Sequence, residues 1–249
     1  MWIEGRVIEK RDWNEKLFSL KIKVDIGDFT AGQFIKLSQV VDDKRVGRAY
    51  SLVNPPGSDY IEVLAVAVEE GLLSPNLQEL SVGDVIDVAT KASGFMTLDE
   101  LPKEQHKGKH LWFLATGTAV GPFISMMDTS EPWLSYEKVV LVYGVRKVAD
   151  LAYLEQLKQY EKSYPLQFTL VLSVTREEHI GALSSRIPDA IISGELEAKV
   201  GLTLSPEISQ VMICGNPEMI TQSQQVLQDR GLMKNLRRAP GQITVERYW

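Results

Sequence analysis

The feature that most constrains this chain is an apolar run that stops at glycines. Leu111-Trp112-Phe113-Leu114-Ala115 is apolar throughout, Thr116-Gly117-Thr118-Ala119-Val120-Gly121-Pro122 follows, and a second apolar run extends from Phe123 to Met127. A short continuous apolar run bounded by turn residues reads as a buried strand. Pro122 suits the first turn of a helix, where its missing N–H leaves no bond unmade. A strand passing into a helix through such a turn aims backbone N–H groups at an anion, and phosphate is the natural guest. Ordinary strand–helix turns share the pattern, and the spacing is not the G-x-G-x-x-G of the common dinucleotide site. The turn therefore gains meaning only from its surroundings.

Before that turn the chain reads as strands. Leu17–Val24, Phe34–Leu37, Tyr60–Val68 and Val85–Val88 are alternating or β-rich, and Asp25–Asp28, Asn54–Gly57 and Val82–Asp84 punctuate them. The one helix start is Ser74-Pro75-Asn76-Leu77-Gln78, with Ser74 as N-cap and Pro75 in the first position. Many short strands with a single helix predict an antiparallel barrel. Past Leu98–Pro102 the pattern changes. A polar segment, Lys103–Lys109, suits a linker, and strands then alternate with helices. The strands are the run ending at Ala115, Lys138–Gly144, Leu166–Val174 and Val211–Gly215. The helices follow the glycine turn, span about Asp150–Tyr160 and Ser185–Gly194, and start at Asn216-Pro217 with Met219, Ile220, Val226 and Leu227 on one face. Such alternation predicts a doubly wound parallel sheet covered by helices. Two domains are expected, a barrel over residues 1–100 and an α/β domain over 101–249. The glycine turn then lies at the end of the first α/β strand, where open parallel sheets place their ligands.

Composition bounds the function. The window His110–Met127 is broken by Thr116, Gly117, Thr118, Gly121 and Pro122, so no membrane span is expected. The start Met1–Arg6 has neither the basic region nor the apolar core of a secretory signal. A single cysteine, Cys214, excludes internal disulfides and a four-cysteine iron–sulfur site, and no metal site is expected. These features point to the cytoplasm. A net charge of −6 argues against nucleic-acid binding. From Lys234 onward, however, Lys234, Arg237, Arg238 and Arg247 face Glu246 alone. This basic end is either a solvated surface or a docking site for an acidic partner.

Arg48-Ala49-Tyr50-Ser51 ends a barrel strand and combines a guanidinium fork, a flat aromatic and a hydroxyl. Alone it is an unremarkable half-buried strand. Taken in order with Gly117–Pro122, Cys214-Gly215-Asn216-Pro217 and the aromatic end Val245-Glu246-Arg247-Tyr248-Trp249, it resembles the ferredoxin/flavodoxin–NADP reductase family, in its proteobacterial branch.

The resemblance implies FAD as a prosthetic group in the barrel. Arg48 and Ser51 would meet its phosphates and Tyr50 would stack on the isoalloxazine ring. Ala49, Leu64, Ala65, Val66, Leu72, Leu73 and Ser74 would line the remainder, and Thr118 would touch FAD from the second domain. Tyr248 would cover the other flavin face and Trp249 the adenine. NADP(H) would be the substrate, with its pyrophosphate at Thr116, Gly117 and Gly121 and its nicotinamide near Cys214. A lone cysteine ending an apolar strand is also ordinary packing. Arg146, Thr175, Arg176 and Arg186 match the family's 2′-phosphate contacts. Val145 precedes Arg146 and Thr175 precedes Arg176, so the acidic residue of an NAD ribose site is not evident and NADP is favoured. The catalytic candidates are Tyr50, Ser51, Cys214 and Tyr248. The implied reaction passes hydride from NADPH to FAD and single electrons to an acidic ferredoxin or flavodoxin, in a monomeric protein. The alternative is an NADPH-dependent free-flavin or ferric reductase, against which the terminal aromatic cover argues.

Overall fold

The computed structural model describes residues 1–102 and 108–247. Most of the expected Lys103–Lys109 linker, and both terminal aromatics Tyr248 and Trp249, lie outside the described residues. The chain divides into two compact units, Met1–Thr97 with Gly121–Thr129, and Leu98–Val120 with Ser130–Trp249.

The first unit is built on six antiparallel strands: β1 (Trp2–Asp12), β2 (Leu17–Lys23), β3 (Phe34–Val41), β4 (Lys44–Ser51), β5 (Ile61–Val66) and β6 (Val85–Ala89), in the order β4-β3-β6-β1-β2-β5. Phe18, Leu20, Ile22, Ile35, Leu37, Val63 and Val88 point inward and are fully buried. The two edge strands curl together, joined by the bridge Leu52↔Val63 and by Val53 N–H donating to Glu62 O at 2.8 Å. The expected barrel is thus present, closed at one point of its seam. β1 escaped the sequence reading because charges occupy its solvent face and hide the alternation (Glu4, Arg6, Glu9 and Arg11 are exposed).

A short helix, α1 (Ser74–Glu79), drives Leu77 into the barrel core. Ser74 is its first residue and not its cap: the hydroxyl accepts from Val68 N–H at 3.1 Å and bonds nothing in the helix. The helix following the glycine turn, α2 (Gly121–Met127), is buried along its whole length and belongs with this unit. Ser125 Oγ anchors it by donating to Asn54 O at 2.8 Å.

The second unit holds five parallel strands: β7 (His110–Thr116), β8 (Lys138–Val145), β9 (Phe168–Val174), β10 (Ser209–Gly215) and β11 (Ile243–Arg247). Their order, β11-β10-β7-β8-β9, places β7 in the middle. Its helices are α3 (Glu131–Ser135), α4 (Leu154–Ser163), α5 (Ile187–Ile192), α6 (Glu195–Val200) and α7 (Pro217–Asp229). Trp112, Val140, Val171 and Val211 on one face pack with residues of α5, α6 and α7. On the other, Phe168 meets Trp133 and Tyr160 edge-on, and Trp133 stacks on Tyr164 with centroids 3.8 Å apart. Both faces are therefore covered, as the alternation predicts.

Boundaries shifted where local chemistry intervened. The helix expected from Asp150 starts at Leu154, because Val148–Asp150 forms a separate 3₁₀ turn and Tyr153 takes a left-handed conformation (φ 57°). The Ser185–Gly194 helix is shorter, and α6 follows it after Gly194. Strand β9 starts at Phe168, leaving Leu166 exposed. Asn216 caps α7 as expected, its Oδ1 accepting from Glu218 N–H at 2.8 Å and Met219 N–H at 3.3 Å.

Within the first unit one glycine sets a close approach. Gly32 has φ +98°, and a Cβ there would sit 1.9 Å from Met96 O. Gly32→Ala is expected to destabilise the protein by about 2–4 kcal/mol, combining left-handed strain with a backbone clash. Denaturant unfolding checks this, and a loss under about 1 kcal/mol would refute the close approach.

Candidate functional site

In the first unit the barrel seam is the distinctive feature. Beyond the Leu52↔Val63 bridge, antiparallel register would set Ser51 against Leu64 and Tyr50 against Ala65, yet the sheet carries no pairing of β4 with β5 there. The segments that splay apart are those expected to hold a flavin nucleotide, Arg48–Ser51 and Leu64–Val66. Arg48 and Ala49 are exposed, Tyr50 is half-buried and Ser51 is buried. The Arg48 guanidinium donates only to its neighbour Gly47 O, at 2.8 Å, among the described bonds. Burial pushes the Tyr50 phenol up to about 12, against the pull of Arg48, so it is a neutral ring with a polar tip at physiological pH. An open strand edge, a free guanidinium and a half-buried aromatic fit a flat ligand bearing phosphates. Ala65 and Leu73 are spent in the barrel core, so any ligand contact they make is through backbone. Leu72 beside Leu73 is 58% exposed, and Val66 is half-buried.

In the second unit the expected residues gather at the C-terminal edge of the sheet. β7 lies between β10, which leads to β11, and β8, which leads to β9, so its end is the point where strand order reverses. Gly117 takes φ +57° directly after β7, and a Cβ there would meet nothing within 4 Å. Space is open over Gly117 alone, since Thr118, Ala119 and Val120 of the same turn are buried. Next to it, Gly215 ends β10 at φ +139°, where a Cβ would lie 2.1 Å from Thr116 Oγ1. Thr116 Oγ1 accepts from Asn216 N–H at 3.0 Å, so β7 and β10 end laced together. Cys214 is fully buried between Ala115 and Glu246 in the sheet. Gly121 heads α2 and is buried in the first unit, 3.2 Å from Val53 Cγ2 were it to carry a Cβ.

The arginines stand at the next strand ends. Thr175 N–H donates to Val145 O at 3.2 Å and Arg176 N–H to Arg146 O at 2.9 Å, continuing the β8–β9 pairing beyond the sheet. Arg146, Thr175 and Arg176 are therefore adjacent and exposed, and neither arginine has an ion-pair partner among the described residues. Arg186 precedes α5, whose Ile187 lies over Gly144 in β8, and it pairs loosely with Glu218 at 3.8 Å. The Thr175 hydroxyl donates to Val145 O at 3.3 Å, and exposed arginines at successive strand ends suit a phosphomonoester.

One residue escaped the sequence reading. Glu246 lies opposite Cys214 in parallel register, and burial alone raises its carboxyl to about 7. Only the β10–β11 pairing reveals this neighbour, since the segment itself reads as an ordinary amphipathic strand.

The basic end is a tight turn. Leu236 and Ala239 exchange backbone bonds at 3.0 and 2.9 Å, which puts Arg237 and Arg238 at its tip. Asn235 holds its base by donating to Glu100 O at 2.8 Å and Thr244 Oγ1 at 3.2 Å. Met233 and Leu236 lie exposed beside the two arginines. Among the described residues no cluster of three or more His, Cys, Asp or Glu could hold a metal ion.

The sequence matches two family models, an oxidoreductase FAD-binding domain over residues 6–95 and an oxidoreductase NAD-binding domain over residues 113–225. It is 43% identical to the flavodoxin/ferredoxin–NADP reductase of Escherichia coli (strain K12), over 100% of this chain and 99% of that protein. The chain belongs to the flavodoxin/ferredoxin–NADP reductase family. Within it, the ferredoxin–NADP reductase of Azotobacter vinelandii is 35% identical over 97% of this chain and 95% of that protein. A crystal structure of a ferredoxin NADP+ reductase from Neisseria gonorrhoeae with bound FAD and NADP superposes with a TM-score of 0.92, at 29% identity, covering 99% of this chain and 98% of that one. The chain is thus an oxidoreductase with FAD- and NADP-binding domains, and the family reading prevails over the free-flavin or ferric alternative.

Glu246 offers a direct check on this geometry. Its carboxyl binds a proton more tightly folded than unfolded, so it favours folding fully below about pH 4.5 and loses that contribution as pH rises to about 7. Glu246→Gln, which mimics the protonated form, is expected to melt near wild type at pH 4.5 and several degrees higher at pH 8. The same difference at both pH values would refute the half-buried, uncharged environment.

Proposed function

We propose that this reductase carries electrons between NADPH and a small acidic carrier, flavodoxin or ferredoxin, as a soluble cytoplasmic monomer. The observation that carries the reading is that Arg146 and Arg176, exposed and without ion pairs among the described residues, stand on backbone-bonded loop residues beyond the ends of β8 and β9. Among the described residues, no helix is long and apolar enough to cross a membrane. Bound FAD supplies the chemistry, converting two-electron hydride exchange into single-electron steps.

The protein's own work is placement. Arg48 and Ser51 are proposed to hold the FAD phosphates, with Tyr50 a neutral stacking surface for the flavin. The backbone of Leu64–Val66 and Leu72–Ser74 is proposed to complete that lining, and Thr118, Tyr248 and Trp249 are proposed as further FAD contacts. The Thr116–Gly117 turn is proposed to meet the NADP pyrophosphate, because open space over a glycine at a strand end admits a phosphate closely. Cys214 and Glu246 are proposed to border the nicotinamide, Glu246 uncharged below about pH 7. Arg146, Thr175, Arg176 and Arg186 take the 2′-phosphate, which separates NADPH from NADH. The Arg237-Arg238 turn, with Met233 and Leu236 beside it, is proposed to dock the carrier: charge steers an acidic partner and the apolar rim holds it.

Replacing both Arg176 and Arg186 by alanine is expected to raise the NADPH KM at least tenfold, the loss of one or more charged hydrogen bonds, with little change for NADH. Equal losses with both nucleotides would overturn the 2′-phosphate assignment. The electron-transfer reading is tested anaerobically on the FAD-loaded protein. NADPH is expected to bleach the flavin absorbance, and flavodoxin or ferredoxin to restore it. Arg237→Glu with Arg238→Glu should slow the second phase about tenfold at low salt and flatten its salt dependence, leaving reduction of a small dye unchanged. Failure to bleach removes the reading, and parallel losses with carrier and dye remove the docking turn.

A further inference from the structure

Two carboxylates lie on the loops that carry the arginines proposed to bind a dianion. Glu177, next to Arg176, accepts from Val148 N–H, across from the loop that carries Arg146. Asp150 Oδ2 accepts from Lys147 N–H at 3.0 Å. Val148 N–H, the first of the 3₁₀ turn Val148–Asp150, and Lys147 N–H just before it are therefore taken by the protein's own carboxylates. A negative charge in this place weakens a dianion's binding, so the charge of Glu177 does not explain its presence. Its bond does. Beyond the last sheet pair, Val145↔Val174, the two loops are joined by Arg176 N–H to Arg146 O at 2.9 Å and then by Val148 N–H to Glu177. The second bond closes the ladder one residue past Arg176 and two past Arg146, while both guanidiniums stay free of ion pairs among the described residues.

We infer that Glu177 is a positioning residue for nucleotide specificity: its bond to Val148 holds the two loops together so that Arg146 and Arg176 converge on one 2′-phosphate. The inference rests on the reading of these arginines given above. It separates two roles that a carboxylate could have. As a repelling charge, Glu177 would oppose NADPH, and its removal in any form would tighten binding. As a loop tie, it is replaceable only by a side chain that still accepts a bond from Val148.

The test compares Glu177→Ala, Glu177→Gln and Arg176→Ala in the FAD-loaded protein. The readouts are steady-state kinetics with NADPH and NADH, and calorimetric binding of 2′-phospho-AMP and 5′-AMP. Glu177→Ala is expected to raise the NADPH KM and the 2′-phospho-AMP Kd about fivefold, as for one net hydrogen bond, with kcat, NADH and 5′-AMP unchanged. Glu177→Gln keeps an acceptor and loses the charge, so it should bind both 2′-phosphorylated ligands at least as tightly as wild type. If alanine and glutamine act alike, in either direction or not at all, the inference is overturned. A matching loss with NADH or 5′-AMP in the alanine variant also overturns it, since that reports general damage to the loops. If Arg176→Ala weakens 2′-phospho-AMP while Glu177→Ala does not, the inference fails alone. If Arg176→Ala leaves 2′-phospho-AMP binding intact, the arginine site itself is refuted and the inference falls with it.

Discussion

A parallel strand flanked by others and covered on both faces can meet a ligand only at its ends, and β7 is such a strand. Leu111 to Ala115 are completely buried, and backbone pairing to β8 and β10 occupies both sides. Its N-terminal end is occupied too, with His110 N–H donating to Ile208 O at 2.8 Å. The C-terminal end differs because the sheet winds outward from it in both directions. The loops leaving β7 and β10 therefore run to opposite sides, which is where open parallel sheets place their ligands. Thr116, Gly215 and Asn216 fix the two strand ends to one another. The missing side chain at Gly215 lets Thr116 Oγ1 reach Asn216 N–H, and Asn216 in turn caps α7. One hydroxyl thus couples the end of the central strand to the start of the longest helix of the unit.

The barrel reaches an accessible edge by another route. An antiparallel sheet of six strands has two edges, and here they meet at a single bridge before diverging. Exposed edges invite unwanted pairing, and native proteins cover or charge them. On β4 the exposed Arg48 does so by charge, and FAD, held along the seam as proposed, would cover the rest. The same strands show how little of a binding surface need be side chain. Ala65 and Leu73 are committed to the core, so their backbone is what they can offer a ligand.

What could be read from the sequence was local. The strand–glycine–proline passage, the Asn216 cap and the arginines following β8 and β9 each depend on neighbours within a few residues, and each stands where expected. Chain entry into α1 was misjudged because Ser74 bonds backward to Val68 N–H, a choice between two nearby donors that propensity does not decide. Tyr153 defeated the helix start before α4, since nothing about a tyrosine announces a left-handed residue. Glu246 was missed for a different reason. Its proximity to Cys214 exists only through the pairing of residues more than thirty positions apart in two strands, and no periodicity within either strand records it.

Charge shows the same division between the chain as a whole and its parts. A protein of net charge −6 is a poor host for a polyanionic nucleotide if its charges act together. They do not, because at physiological salt a charge is screened over about 8 Å. What a phosphate meets is the local balance at the end of β8 and β9. There Glu177 accepts from Val148 N–H and Asp150 from Lys147 N–H, while Glu218 accepts from Gln222 and pairs loosely with Arg186. Arg146 and Arg176 enter with nothing to give up. Arg186 must part from Glu218, but both partners are two-thirds exposed and 3.8 Å apart. Pairs of that kind are worth about 1 kcal/mol or less, well below what a guanidinium gains on a phosphate. If the proposed dianion binds here, the three arginines, unequal at rest, would become nearly equal on its arrival.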